Sequence, residues 1–453
     1  MSGRWKRISL LTALTATLAA AVAVSLASGM TDRSASPASA SATNLTIMGF
    51  GTNGDDVAKT RYALAEKAVG GDVSAPNGAF NDQQFLAAIA AGDVPDLVYF
   101  SRDKVGTYAA RGALVPLTSC IKSHKINMKQ YRSAAVNEVT YKKKVYAIPE
   151  FYDVRTVIVN LEVLAKAKVK LADLNTKNWT KLKAAAKKLY VSSGGKVSRI
   201  GFDPKLPEFF PLWAKANGAD ILSRDGLHPH INSPKAVAAL QYAISLINAQ
   251  GGWDRFKSFR DTWDFFGKKN QVAEDQVGAW PMEQWYYNVL TANSPNVKIA
   301  ALPFRARDGK VINYETGSAW AIVKGAKHQA AACQWMKTMT SVNTWMAAAR
   351  NRAAVRKQQN RPYTGLSTAN AVADKAIFKQ TYTPINRYFD QAVKTVLDVQ
   401  QHSFYIPASP ASAEINDAWM NAVNSVLTGQ SSVRSALNKA QKTASDAIKK
   451  AQQ

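Results

Sequence analysis

From Thr43 onward, short apolar runs alternate with amphipathic stretches. "TNLTIMGF" (43–50) is an apolar strand. "DDVAKTRYALAEKAV" (55–69) is an amphipathic helix with an acidic start. After a strand-like turn, "NDQQFLAAIAAG" (81–92) is a second helix, with Asn81 placed to cap it and Gly92 to end it. "DLVYF" (96–100), "VYAIPE" (145–150) and "RTVIVN" (155–160) are further strands. Strands alternating with helices in this way imply a parallel sheet. "NWTKLKAAAKKLY" (178–190) is a helix opened by Asn178 or Thr180, and "SPKAVAALQYAISLINAQGG" (233–252) one opened by Ser-Pro and stopped by two glycines. "SAWAIVKG" (318–325) is a strand, followed by the helix "HQAAACQWMKTMTS" (328–341). From Asp374 the pattern is almost all helical; in "SSVRSALNKAQKTASDAIKK", Val433, Leu437, Ala440, Ala444 and Ile448 share one face.

The chain has 453 residues, too many for one compact core and enough for two or three domains. Arg4, Lys6 and Arg7 precede an apolar run from Ile8 to Met30, and "SASPASASA" offers A-x-A sites at Ala38–Ala40 and Ala40–Ala42. Residues 1–42 therefore read as an export signal with an Ala/Ser-rich spacer, either removed near Ala42 or kept as an anchor. No other segment is long and apolar enough to cross a membrane. Losing 1–42 takes four cations and one acid off the formal +26, leaving +23. The lysines are scattered ("KKKVY", "KLKAAAKKL", "AIKKAQQ"), not gathered into an aromatic-laced patch. The charge thus fits an anionic cell surface, not nucleic-acid recognition. Cys120 and Cys333 permit one disulfide in an oxidising compartment, and both are expected in the same lobe.

Six segments, in order, resemble the extracellular solute-binding proteins of ABC sugar importers, the maltose-binding-like group. "GDVPDLVYFSRDKVGTYAARGALVPL" (92–117) is similar to that family's G-D-x-P-D strand and its G-x-L-x-P-L continuation. "YAIPEFYDVRTVIVNLEVLAKAKV" (146–169) resembles its Pro-ended strand and Tyr-Asn crossover, with Val159–Asn160 in place of Tyr-Asn. "NWTKLKAAAKKL" resembles a T-W-x-E-L helix start, with Lys181 replacing the acid. "ANGADILSRDGLHPHINSPKAVAALQYAISLI", "YETGSAWAIVKGAKHQAAACQWMKTMTS" and "VLTGQSSVRSALNKAQKTASDAI" follow the family's later segments. The F-x-x-G-x-A-A-M pattern is blurred in "FFGKKNQVAEDQVGAWPMEQWYYN" (265–288), and there is no lipobox cysteine.

The resemblance implies an α/β fold of two lobes, of the type II periplasmic-binding-protein kind, with a sugar held in the cleft between them. The N-terminal lobe is expected at 43–154 and 319–352, the C-terminal lobe at 155–318 and 353–453. Crossings are expected near Val154–Thr156, Gly317–Trp320 and Arg350–Val355. The implied partners are a carbohydrate ligand and the transmembrane permease of an importer with its ATPase; no cofactor is implied, and a monomer is expected. The implied location is extracellular, at the cell envelope.

A sugar presents hydroxyls at its edges and C–H groups on its faces, so its site needs acids, amides and bases together with aromatic rings. Asp103 and Lys104 match positions where the family binds hydroxyls, with Phe100 as a stacking ring. Asp153 stands where the family often places an acid at the first crossover. From the other lobe the candidates are Trp213, Trp280, Glu283 and Trp285, although core packing competes for the same rings. Trp320 beside the second crossover, Phe50 and Asn53 after the first strand, and Tyr405 before "IPASP" complete the set.

Two enzyme readings compete. "GFGTNG" (49–54) has the form of a dinucleotide-binding G-x-G-x-x-G after a strand, with Asp72 as its acid, which would make an exported Rossmann-type oxidoreductase. A secreted glycoside hydrolase would need two carboxylates flanking a bond, and Glu150, Asp153 and Glu283 offer acids without fixing a pair. The histidines show no H-E-x-x-H, only His228 and His230 in "LHPH", so metal catalysis has no support. No G-x-x-x-x-G-K-[ST] is present, so ATP hydrolysis belongs to a partner.

Overall fold

The computed structural model describes residues 44–76 and 78–453. The expected export signal at 1–42 lies outside the described residues. Among those described, no helix is long and apolar enough to cross a membrane.

Two five-stranded sheets organise the rest. The first runs in the order Val73–Ser74, Leu45–Met48, Leu97–Ser101, Ser318–Ile322, Ile148–Pro149. Its first three strands are parallel, and Ser318–Ile322 runs against its neighbours with Trp320 opposite Tyr99 and Ala319 opposite Phe100. Asp55 accepts from the Ala58 amide at 2.8 Å and so starts the helix Asp56–Val69. The helices Gln329–Thr340 and Val342–Gln358 pack on that helix. Cys120 and Cys333 are joined, Cα to Cα 5.8 Å, tying the helix Thr118–Ser123 to Gln329–Thr340.

The second sheet runs Ile299–Pro303, Arg155–Asn160, Val277–Glu283, Lys196–Phe202, Val191–Ser193. "RTVIVN" is buried along its whole length, which suits a strand covered on both faces. The helix Arg387–Val399 lies on Arg155–Asn160 and Ile299–Pro303, and the helix Trp179–Leu189 on Lys196–Phe202. Asn178, not Thr180, is the cap of that second helix, accepting from the Lys181 amide at 3.0 Å. Asn160 caps the helix Leu161–Ala167 through the amides of Glu162 and Val163. The C-terminal region departs from all-helix at one place, where Ser403–Phe404 pairs with Asn313–Tyr314. The helix Val433–Gln452 buries Leu437, Ala440, Ala444 and Ile448 and leaves Val433 half-buried.

The chain passes from the first sheet to the second between Pro149 and Arg155, and back between Pro303 and Ser318. Arg350–Val355 is not a crossing but the middle of the helix Val342–Gln358. The run "VNTWMAAARNRAAVRKQ" contains no glycine or proline to break it. Leu45–Met48 and Leu97–Ser101 end, and Ser318–Ile322 begins, at one edge of the first sheet. Val277–Glu283 ends, and Arg155–Asn160 begins, at one edge of the second. The loops leaving those two edges line a common cavity.

Candidate functional site

The cavity measures about 890 Å³ and lies between the loop 49–56 of the first sheet and the helix Trp285–Asn293 that follows the second sheet's Val277–Glu283. Gly49 has φ +88°, and a Cβ there would run into the Tyr99 carbonyl, so only glycine lets the loop turn so tightly over the neighbouring strand. The turn presents Phe50 and Asn53 to the cavity. Phe50 is only 4% exposed, and its ring and the Tyr99 ring rest on Trp320, at 4.9 and 4.6 Å between centroids.

On the other wall Trp285 is half-buried and stacks at 16° on Phe266, which is 67% exposed. Phe151, Trp285, Asn288 and Leu366 also line a second, more enclosed arm of about 270 Å³. That arm adds Asp153, Gln284, Ser318, Thr364 and Ser367. Gln284 is held to the first crossover: its Nε2 donates to the Tyr152 carbonyl at 3.1 Å and its Oε1 accepts from the Val154 amide at 2.5 Å.

Charges are concentrated around the crossovers. Arg61, 1% exposed, donates to Glu150 at 3.0 Å and lies over the Trp345 ring at 4.0 Å. Arg102 joins Glu138 at 2.8 Å, Glu315 and the Phe151 carbonyl. Burial pushes the Glu138 carboxyl up to about 7 despite that guanidinium. Arg155 pairs with Glu283 at 3.1 Å and donates to Thr316 Oγ1 at 2.9 Å; that hydroxyl donates to Asp153 at 2.8 Å. Burial raises the Asp153 carboxyl; Arg155 opposes the rise and Glu283 adds to it. Arg352 bridges Asp55 at 3.0 Å and Asp56.

Of the residues expected from sequence, Phe50, Asn53, Trp285 and Asp153 line this cavity or its arm. The others are elsewhere. Phe100 is in the core between Phe80 and Tyr108, on the opposite face of its strand from Tyr99. Asp103 accepts from Asn416 at 3.1 Å and Lys104 pairs with Asp82 at 2.8 Å. Trp213 is fully buried against Phe304 and donates to the Pro204 carbonyl at 2.9 Å. Trp280 is fully buried beside Tyr286. Trp320 is the buried support of Phe50 and Tyr99, its indole N–H donating to Glu150. Glu283 holds Arg155 rather than lining the cavity. Tyr405 lines two separate hollows of about 560 and 550 Å³. The cavity also uses residues not anticipated from sequence: Tyr99, Phe151, Asn288 and the arginines 352, 356 and 361.

"GFGTNG" does not form a dinucleotide site. Asp55 and Asp56 occupy the helix N-terminus where a pyrophosphate would sit, already bound to Arg352. Asp72 precedes the strand Val73–Ser74 and so lies at the wrong end of it for a ribose. Among the described residues, one group of possible metal ligands comes together, Cys120, His124 and Cys333. Its two sulfurs are bonded to each other, which removes the thiolates a metal would need.

Two α/β sheets facing a cavity across paired crossovers, with aromatic rings on its walls and amides and charges at its edges, define a two-lobed solute-binding fold. Residues 61–379 match the sequence profile of bacterial extracellular solute-binding proteins, and the chain belongs to that family. Several solved structures share the fold. One is CpMnBP1 with mannotriose bound (23% identity, TM-score 0.70, covering 88% of this chain and 99% of that one). Another is the ABC substrate-binding protein Lmo0181 from Listeria monocytogenes in complex with cycloalternan (20%, 0.72, 90% and 99%). A third is the maltose/maltodextrin-binding domain MalE from Bdellovibrio bacteriovorus bound to maltotriose (19%, 0.67, 90% and 100%).

Proposed function

We propose that this protein is the extracytoplasmic carbohydrate-binding component of an ABC importer. It captures a sugar or oligosaccharide between its two sheets and delivers it to a membrane permease driven by a separate ATPase. The observation that carries the reading is the cavity's mixed wall: Trp285, Phe266, Phe151 and Tyr99 supply faces for C–H groups, while Asn288, Gln284, Asp153 and Ser318 supply partners for hydroxyls. The bound sugars of the similar structures support it. In this reading each sheet with its helices moves as one lobe, and residues 151–154 and 316–317 are two of the connecting segments.

The protein releases its sugar unchanged. Glycoside hydrolysis needs an acid and a second carboxylate on either side of one bond. Asp55 and Asp56 are taken by Arg352, Glu150 by Arg61, and Glu283 by Arg155. The test is a thermal-shift screen of the purified protein against mono- and oligosaccharides, with the recovered sugar analysed for cleavage. A ligand at a hundredfold excess over Kd stabilises the native state by about 2.7 kcal/mol. A screen in which no saccharide raises the melting temperature overturns the proposal.

A further inference from the structure

The cavity carries an imbalance of charge that a neutral sugar does not answer. Four arginines line it, 61, 352, 356 and 361, with Asp55 and Asp56 as its acids. Arg61 is matched by Glu150 and Arg352 by the two aspartates. Arg356 and Arg361 have no carboxylate partner among the described residues. Arg356 reaches the Asn288 carbonyl at 3.4 Å and Arg361 the Gln359 side chain at 3.4 Å, both long for hydrogen bonds. Arg356 is half-buried, and that burial disfavours its charge; Arg352 and Arg361 add to the effect while Asp55 and Asp56 oppose it.

The C-terminal end of the helix Val342–Gln358 favours cations in its last turn. That explains a basic residue such as the exposed Lys357, but not why Arg356 turns inward. Arg352 and Arg356 are one helical turn apart and share the cavity-facing side with Val355 and Gln359. A half-buried guanidinium beside like charges and without a carboxylate partner is suited to receive an anion, and its planar fork matches a carboxylate, sulfate or phosphate.

Resting on the sugar reading above, we propose that the ligand is an acidic saccharide whose oxyanion is received by Arg356 and Arg361, with a sugar ring against Trp285. A uronate carboxylate is the first choice, since a single planar anion fits a fork without demanding a third donor. Sulfate esters and sugar phosphates share the chemistry and form separate arms of the test.

The experiment is isothermal titration of the full chain with matched disaccharides, uronate-bearing and neutral, built on glucose, mannose and galactose. A sulfated disaccharide and a hexose phosphate are added. At least one acidic member is expected to bind at least tenfold more tightly than its neutral counterpart, and the difference should shrink at high salt. Arg356→Gln should weaken that acidic ligand by about tenfold to a hundredfold, and Arg356→Lys should recover part of the loss. Arg361→Gln, beyond the helix end, provides the same reading should Arg356→Gln fail to fold. If neutral disaccharides bind as tightly and neither variant changes their affinity, the anion proposal fails and the sugar reading stands. If no saccharide of either kind binds, both fail together.

Discussion

Trp285 lines the cavity, and Phe266, which lines it too, stacks on the indole. Trp285→Ala should therefore weaken saccharide binding by about 1–2 kcal/mol, about fivefold to thirtyfold in Kd, as titration calorimetry would show. The ligand-free melting temperature should barely move, because the ring is only half-buried; a large drop would make Trp285 a core residue. Glu138 has a different signature. Its carboxyl titrates near 7 when folded and near 4.5 when not, so the native state keeps its proton longer. Below both values the group contributes nothing. As pH rises from 4.5 to 7 folding binds a proton, and the group's contribution to stability falls by up to about 3 kcal/mol. Glu138→Gln should remove that slope, so denaturation curves of variant and parent should diverge across the window; parallel curves would contradict it. Such residue-level facts were only partly legible in the sequence. Tyr99 and Phe100 are adjacent, and one-residue parity puts the first on the cavity and the second in the core. Both faces of that strand are apolar, so no alternation marks the parity. The same holds for Trp280, inside its strand, against Trp285, just past its end.

Elements were more legible, because their signals are local. Asn81, Asn178 and Ser233 each accept from the backbone amide three residues on, as a capping side chain must. Asn178→Ala should cost about 1 kcal/mol of stability, measured by chemical denaturation, and leave ligand affinity unchanged, since that helix does not reach the cavity. The helix Val342–Gln358 shows the limit. From sequence 350–355 is expected as a crossing, and nothing local says that Arg352 and Arg356 share a helix face that looks at a cavity rather than at water. The disulfide shows the same limit at long range. Two cysteines 213 residues apart allow a bond, and only the packing of Thr118–Ser123 against Gln329–Thr340 brings them together. Reducing it, or Cys333→Ser with Cys120→Ser, should cost about 2–4 kcal/mol of stability. The cavity does not involve that edge of the sheet, so sugar affinity measured below the melting temperature should persist.

The cavity draws its walls from both sheets. The first sheet and its helices contribute Phe50, Asn53, Tyr99 and Arg352; the second sheet's following helix contributes Trp285 and Asn288. A ligand that touches both walls favours the arrangement in which they approach. It can shift that equilibrium only by its difference in affinity for the open and closed arrangements. The connecting segments are narrow. A Cβ at Gly317 would collide with the Phe151 carbonyl and the Arg102 guanidinium, so the two crossovers pass in direct contact. Arg102 binds groups from both, Phe151 and Glu315, and Arg155, at the end of the first, holds Thr316 of the second and Glu283 at the end of the second sheet's strand Val277–Glu283. A saturating saccharide should lower the radius of gyration in small-angle scattering and shift tryptophan emission to shorter wavelength as Trp285 leaves water, a hinge response of known type. Gly317→Ala should push the crossovers apart, weaken binding, and reduce the change in radius at saturation while Trp285 still reports ligand contact. If the radius stays constant at full occupancy in the parent, the cavity binds its sugar preformed and the two sheets act as one rigid body.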